Sequence, residues 1–248
     1  MNARNAAAGN GMAARSYDLD TNAAREANSG GKRITEAGAY LGKIKQAWAE
    51  TNDNGTEGVF LSFEADNGQE AGPLALYTFN SKGDPLPSFK TLSAILACCK
   101  LRSIRPRPGQ IEVYDYDKQE VVKKNKAIFP ELFGKEIGFV FQLEEYVKQR
   151  GENEGKVGTR LVIFAPYEAG SERMAAEILD SAREATALHR VIEYIEKNPV
   201  KPLKDKDRRK AEQASQGGGY GGGYGSGYGS GQQSAPPVND FHDDDIPF

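Results

Sequence analysis

Two stretches of the chain alternate cleanly between apolar and other side chains. Over Glu57–Ala65, Val59, Leu61 and Phe63 fall on one side, with Phe60, Ser62 and Glu64 on the other. Over Lys135–Val147, Ile137, Phe139, Phe141 and Leu143 share one side. A period of two predicts half-buried strands. Gly38–Trp48 reads as an earlier strand, separated from Glu57 by the turn cluster Thr51-Asn52-Asp53-Asn54-Gly55. Leu74–Asn80 and Thr159–Ala165 read as further strands. Ile111–Tyr116 and Glu120–Lys124 are set to pair as a hairpin across Asp117-Lys118. The period changes twice. Ser88–Leu101 predicts a helix capped by Ser88, with Phe89, Leu92, Leu96 and Cys99 on its apolar face. Residues 171–197 predict one long helix after Ser171, with a stripe of Met174, Ile178, Ala182, Ala185, Leu188, Ile192 and Ile195, ended by Asn198-Pro199. That stripe either packs on the strands or mediates self-association, so a homo-oligomer stays open.

The expected fold is therefore mainly β with helices. Strand, strand, strand, helix, strand, strand is the order of a five-stranded OB-fold barrel, here with a hairpin inserted between its helix and fourth strand. The predicted organisation is a flexible arm (1–32), the OB-type domain (33–170), a C-terminal helix (171–198), a linker (199–239) and an acidic tip (240–248). The arm holds Ala, Asn and Gly without a sustained period and lacks the apolar segment of a secretory leader.

Composition changes this picture at the ends. The chain has 28 glycines among 248 residues, and many fall in Gln216–Gly231, where Gly-Gly-Gly-Tyr and Gly-Ser blocks surround Tyr220, Tyr224 and Tyr228. Such density cannot repay the entropy of ordering and predicts a disordered tether. Thirty residues of coil would reach roughly 30 Å. No apolar run of 18 residues predicts a membrane helix, and a cytoplasmic protein is expected. Cys98 and Cys99 are adjacent, which argues against a disulfide between them and for a reducing compartment. With His189 and His242 as the remaining soft ligands, no common zinc site can be assembled. No phosphate-binding glycine loop and no nucleophile–histidine pair are evident either, so neither catalysis nor a cofactor is expected.

Charge is informative only locally. Residues 33–170 hold 18 basic and 19 acidic side chains. Lys100, Arg102, Arg105 and Arg107 nevertheless form an acid-free cluster, and Lys123, Lys124 and Lys126 form a second, with Tyr114 and Tyr116 between them. Basic residues interleaved with aromatics suit a groove that tracks a single nucleic-acid strand; solvated turns are the bland alternative. Lys43 and Lys45 on the first strand, Trp48 at its end, Phe60 on the second, and Tyr77 and Phe79 on the third complete the candidate contacts. OB-folds bind oligonucleotides over strands two and three. Each of these aromatics can equally be core, and Phe139 and Phe141 are assigned there.

The last nine residues are Asp240-Phe241-His242-Asp243-Asp244-Asp245-Ile246-Pro247-Phe248. A solubilising acidic tail would explain the aspartates but not the apolar Ile246, Pro247 and Phe248. A partner with an apolar pocket and a basic lip would hold ring, carboxylate and aspartates together. This ending resembles the C-terminal tip of bacterial single-stranded DNA-binding proteins, which follows an OB domain and a glycine-rich linker. Asp243, Asp244, Asp245, Ile246, Pro247 and Phe248 match that six-residue ending throughout. The resemblance implies a protein that coats single-stranded DNA and whose tip recruits replication, recombination and repair enzymes. Phe129-Pro130-Glu131-Leu132-Phe133-Gly134-Lys135 is similar to bacteriophage proteins thought to bind DNA, which points to a phage-encoded member. The folded domain matches no usual bacterial OB sequence, so no DNA-contact residue is carried over from that family.

Overall fold

A computed structural model describes Leu19 and residues 33–115, 120–148 and 153–209. The expected arm, most of the linker, Tyr116 and the tip lie outside the described residues. Within them, the order is β1 (Gly38–Thr51), β2 (Glu57–Ala65), β3 (Glu70–Phe79), α1 (Ser88–Cys98), β4 (Arg107–Asp115), β5 (Glu120–Ile128), a 3-10 turn (Pro130–Leu132), β6 (Glu136–Val147), β7 (Val157–Tyr167), α2 (Ala175–Leu179), α3 (Ala187–Lys197) and β8 (Val200–Lys201).

The eight described strands form one sheet. β3, β2 and β1 pair antiparallel in that order. The other edge of β1 is shared. Gly38–Lys43 pair with β6, Ile44 exchanges backbone hydrogen bonds with Lys135 and Gly134, Ala47 accepts from Phe129, and Trp48 meets Ile128 of β5. β4 pairs with β5, β7 antiparallel with β6, and β8 parallel with β6. The sheet is open: among the described residues no ladder joins β3 to β7. The helix α1 packs against both of these strands.

The alternating faces of β2 and β6 make the core. Leu61, Phe63, Ile137, Phe139 and Phe141 are fully buried, and Phe63 packs its ring 5.1 Å from Phe139 and 5.8 Å from Phe141. α1 closes this cluster with Leu92, Ile95 and Cys98. Of the expected face, Leu92 and Cys99 are buried and Leu96 packs against the cluster, while Phe89, in the first turn, is exposed. Ser88 is the first helical residue rather than its cap, and no side chain caps the helix.

A bulge in β1 decides which side Trp48 takes. Ile44 pairs with Phe63, but Gln46 already pairs with Ser62, so Lys45 is an extra residue. One added residue inverts the facing of everything after it. Ala47 therefore enters the core, and Trp48 turns to the opposite face of the sheet.

The long helix expected over 171–197 is two helices with a break. Ser181 takes φ +55°, and Glu177 fills the junction. Its carboxylate accepts from the backbone N–H groups of Met174 (2.9 Å), Thr186 (2.7 Å) and Ala187 (2.9 Å). Burial opposes the charge, but these bonds outweigh it and hold the carboxyl below its ordinary range. Ser171 caps neither helix; its hydroxyl donates to Glu168. The expected stripe divides accordingly. Ile178 packs on the main cluster, while Leu188 and Ile195 cover Val140 and Tyr167 on the outer side of β6. Gly138 permits this, because a Cβ there would sit 1.9 Å from the Tyr167 ring. Ordered chain also continues into the expected linker: Leu143 donates to Pro199 (3.0 Å), and Glu145 accepts from the backbone N–H of Leu203 (2.9 Å).

Glu168, just after β7, is buried and ties α1 to the turn before α2. Lys100, Ser171 and Arg173 all donate to its carboxylate, and together they hold its pKa at about 2 despite burial. A carboxylate with a depressed folded pKa stabilises the fold above its unfolded value near 4.5, and that contribution is lost as pH falls toward 2. Replacing Glu168 by Gln should cost about 1–3 kcal/mol at pH 7. In urea titrations, the gap between wild type and variant should shrink as pH falls from 4.5 toward 2; a gap independent of pH would contradict this assignment.

Candidate nucleic-acid interface

The bulge in β1 and the register of β2 and β3 assemble a row of aromatic rings on the outer face of the sheet. Trp48 lies opposite Phe60, with ring centroids 5.9 Å apart, and Phe60 meets Tyr77 edge-on at 5.7 Å. Gly58 leaves room beneath them, since a Cβ there would sit 3.2 Å from Tyr77 and 3.3 Å from Phe60. Phe79 does not extend the row: it lies past a register shift between β2 and β3, and its ring packs 5.2 Å from Phe89 of α1. Within the row, Trp48 is buried at 5% exposure, whereas Phe60 and Tyr77 are half-buried. A base can stack on the latter two; Trp48 supports them from below.

Trp48 is also fastened to the inserted hairpin. Its Nε1–H donates to Glu50 (3.1 Å), and Lys126 of β5 donates to the same carboxylate (2.8 Å). Gln46 accepts from the backbone N–H of Glu112 in β4 (3.1 Å). The hairpin root therefore abuts the Trp48 end of the row.

The register of β4 and β5 separates the expected lysine cluster. Glu112 faces Lys123, Ile111 faces Lys124, and Gly109 faces Lys126. Lys123 shares a face with Tyr114 and Val121, while Lys124 and Lys126 lie on the opposite face with Ile111, which is buried. Tyr114 and Val121 pair across the strands, exposed at 51% and 63%.

Most of the expected cations already hold carboxylates. Lys43 pairs with Glu64 (3.2 Å); Lys45 pairs with Glu64 (3.2 Å) and Glu70 (2.7 Å). Those hydrogen bonds raise the Lys45 pKa and lower that of Glu64, so both groups are held charged. Arg107 lies 3.7 Å from Glu131 and Lys123 3.9 Å from Glu112, both loose pairs. Arg102, Arg105 and Lys124 are exposed and form no ion pair among the described residues.

Among the described residues no group of three His, Cys, Asp or Glu side chains is placed to hold a metal, and no helix is long and apolar enough to cross a membrane. Cys98 and Cys99 are free and buried. Burial, with Cys99 and Glu168 nearby, pushes the Cys98 thiol up to about 12, and burial pushes Cys99 up to about 11. In comparison with known proteins, no family model matches the chain and no curated sequence is significantly similar to it.

Both thiols should resist a disulfide reagent such as dithiobis-nitrobenzoate at pH 8 in the native protein and react on addition of urea, because the thiolate is the reactive form. Rapid native labelling of either cysteine would contradict their placement.

Proposed function

We propose that this protein coats single-stranded DNA without sequence specificity, in phage or bacterial replication, recombination and repair, and that residues 243–248 recruit partner enzymes to the coated strand. The observation that carries the proposal is the half-exposed aromatic pair Phe60–Tyr77, beside Trp48, on the outer face of β2 and β3. Stacking on such rings is tolerant of sequence, because every base has a π-face. The body reads as an OB-type barrel: β3-β2-β1-β6-β7 is the five-strand order, α1 spans the gap between β3 and β7, and β4–β5 is the insertion. Strands two and three are where OB-folds take oligonucleotides, and here they carry the row. The match of the last six residues to the single-stranded DNA-binding tip supports the recruiting role. The protein acts by binding, not catalysis.

One observation favours a second reading. Because Lys43, Lys45 and Lys126 are each engaged by carboxylates, phosphate contact on the body requires displacing them. If that does not occur, the chain is an adaptor whose tip engages repair enzymes while its body binds no DNA.

Tyr77→Ala should weaken binding of the full chain to a fluorescein-labelled oligo-dT by roughly 5- to 150-fold, the range of one lost stacking platform at about 1–3 kcal/mol. An unchanged affinity removes the row from the interface. Deleting residues 240–248 should tighten binding at low salt, because four aspartates no longer compete with phosphate. Equal affinities with and without the tip would contradict that competition.

A further inference from the structure

The charge of residues 33–170 is unevenly divided. The inserted segment 100–128 has eight basic and four acidic residues, whereas the remainder has ten basic and fifteen acidic. A positive module is thus set into a negative body. Counterion release on binding a polyanion scales with the cations that meet phosphate, and on the body carboxylates outnumber cations. Its cations Lys43 and Lys45 are committed to Glu64 and Glu70. Arg102 and Arg105, at the root of the insertion, are not so engaged among the described residues.

The hairpin's two faces differ in exposure. The face carrying Ile111, Val113, Val122, Lys126 and Ile128 is largely buried or half-buried. On the opposite face every described side chain is exposed, from Pro108 and Ala127 at the root to Tyr114 and Val121 near the far end. An exposed aromatic, an exposed β-branched neighbour and Lys123 on one face make a stacking surface beside a cation. Glu50 links this arm to the aromatic row by accepting from both Trp48 and Lys126. Seven residues separate Tyr114 from the root at Arg107, or roughly 23 Å at ~3.3 Å per residue. A stacked strand spans that length in about seven nucleotides at 3.4 Å each.

We propose that the inserted segment is the principal phosphate-binding arm, and that the outward face of its hairpin, with Tyr114, Val121 and Lys123, takes the single strand as it continues past the row on β2 and β3. The inference rests on the single-strand reading and deepens it: the arm lengthens the footprint and carries its salt dependence. Arg102 and Arg105 neutralise phosphate at the root, and Tyr114 stacks a base beyond it. The charge complementarity of a positive arm on a negative body selects a polyanionic strand as its occupant.

The test uses the full chain, labelled (dT)5 and (dT)30, and a range of salt. Tyr114→Ala should weaken (dT)30 roughly tenfold, as for one lost stacked base, and leave (dT)5 nearly unchanged. The double variant Arg102→Ala/Arg105→Ala should lower the slope of log affinity against log salt for (dT)30 by about 1.4, at 0.7 per cation. Arg190→Ala/Lys197→Ala, an equal loss of two exposed positive charges on α3, should leave both oligomers unaffected. If (dT)30 binds wild type and the Tyr114 and arginine variants alike, the arm is not part of the path. If Tyr114→Ala weakens both lengths equally, hairpin and row are one short site, and the extended path is wrong. If wild type binds neither oligomer, the single-strand reading itself fails, and this inference with it.

Discussion

The edge of β1 that faces away from β2 governs the architecture. A strand in the middle of a sheet must satisfy its backbone groups on both sides, and here three separate pieces of chain do so. β6 serves Gly38–Lys43, the turn after the 3-10 segment serves Ile44, and Phe129 with Ile128 serves Ala47 and Trp48. Between α1 and β6 the chain leaves to build the β4–β5 hairpin and returns to the same edge. The insertion is accommodated because the chain's return at Ile128–Lys135 continues the ladder that β6 then takes up.

The same strand couples fold to proposed function. Had β1 lacked the bulge at Lys45, Trp48 would face the core and Ala47 the outside. The extra residue instead puts an indole beneath the aromatic row and beside the hairpin root, where Glu50 joins the two. Electrostatics then divides the labour. On the body, lysines and carboxylates are interleaved closely enough to neutralise one another. The insertion holds the surplus positive charge. On the proposed reading, stacking and phosphate binding fall to different elements that meet at Trp48.

Part of this was legible in the sequence. β2 was read to the residue, and β6 nearly so, because strict alternation over a half-buried strand admits one facing. The hairpin was legible as two short β-branched runs around a turn. The rest depended on contacts that a one-dimensional pattern does not record. The stripe over 171–197 has helical spacing throughout, but the Glu177 carboxylate and Ser181 in the left-handed region break it, and its halves bury against different clusters. Lys123 and Lys124 looked like one patch, yet neighbours in a strand point to opposite faces. The bulge in β1 carried little signal: Ile44 and Trp48 share one parity, and only the polar Gln46 between them disagrees with an apolar face. Glu64, Glu70 and Glu50 gave no hint that they would hold the lysines expected to meet phosphate. Phe89 fits the helix period with Leu92, Leu96 and Cys99, but it stands in the first turn, where it meets Phe79 and stays exposed.

The central claim is that the folded body holds unpaired bases. It is tested most directly by titrating the full chain against fluorescein-labelled oligo-dT and against duplex of equal length, across a range of salt. The account predicts saturable binding to the single strand, weaker binding to the duplex, and a slope of log affinity against log salt of about −2, as for three phosphate-meeting cations. Failure to bind oligo-dT at low salt, or equal affinity for the duplex, would contradict it.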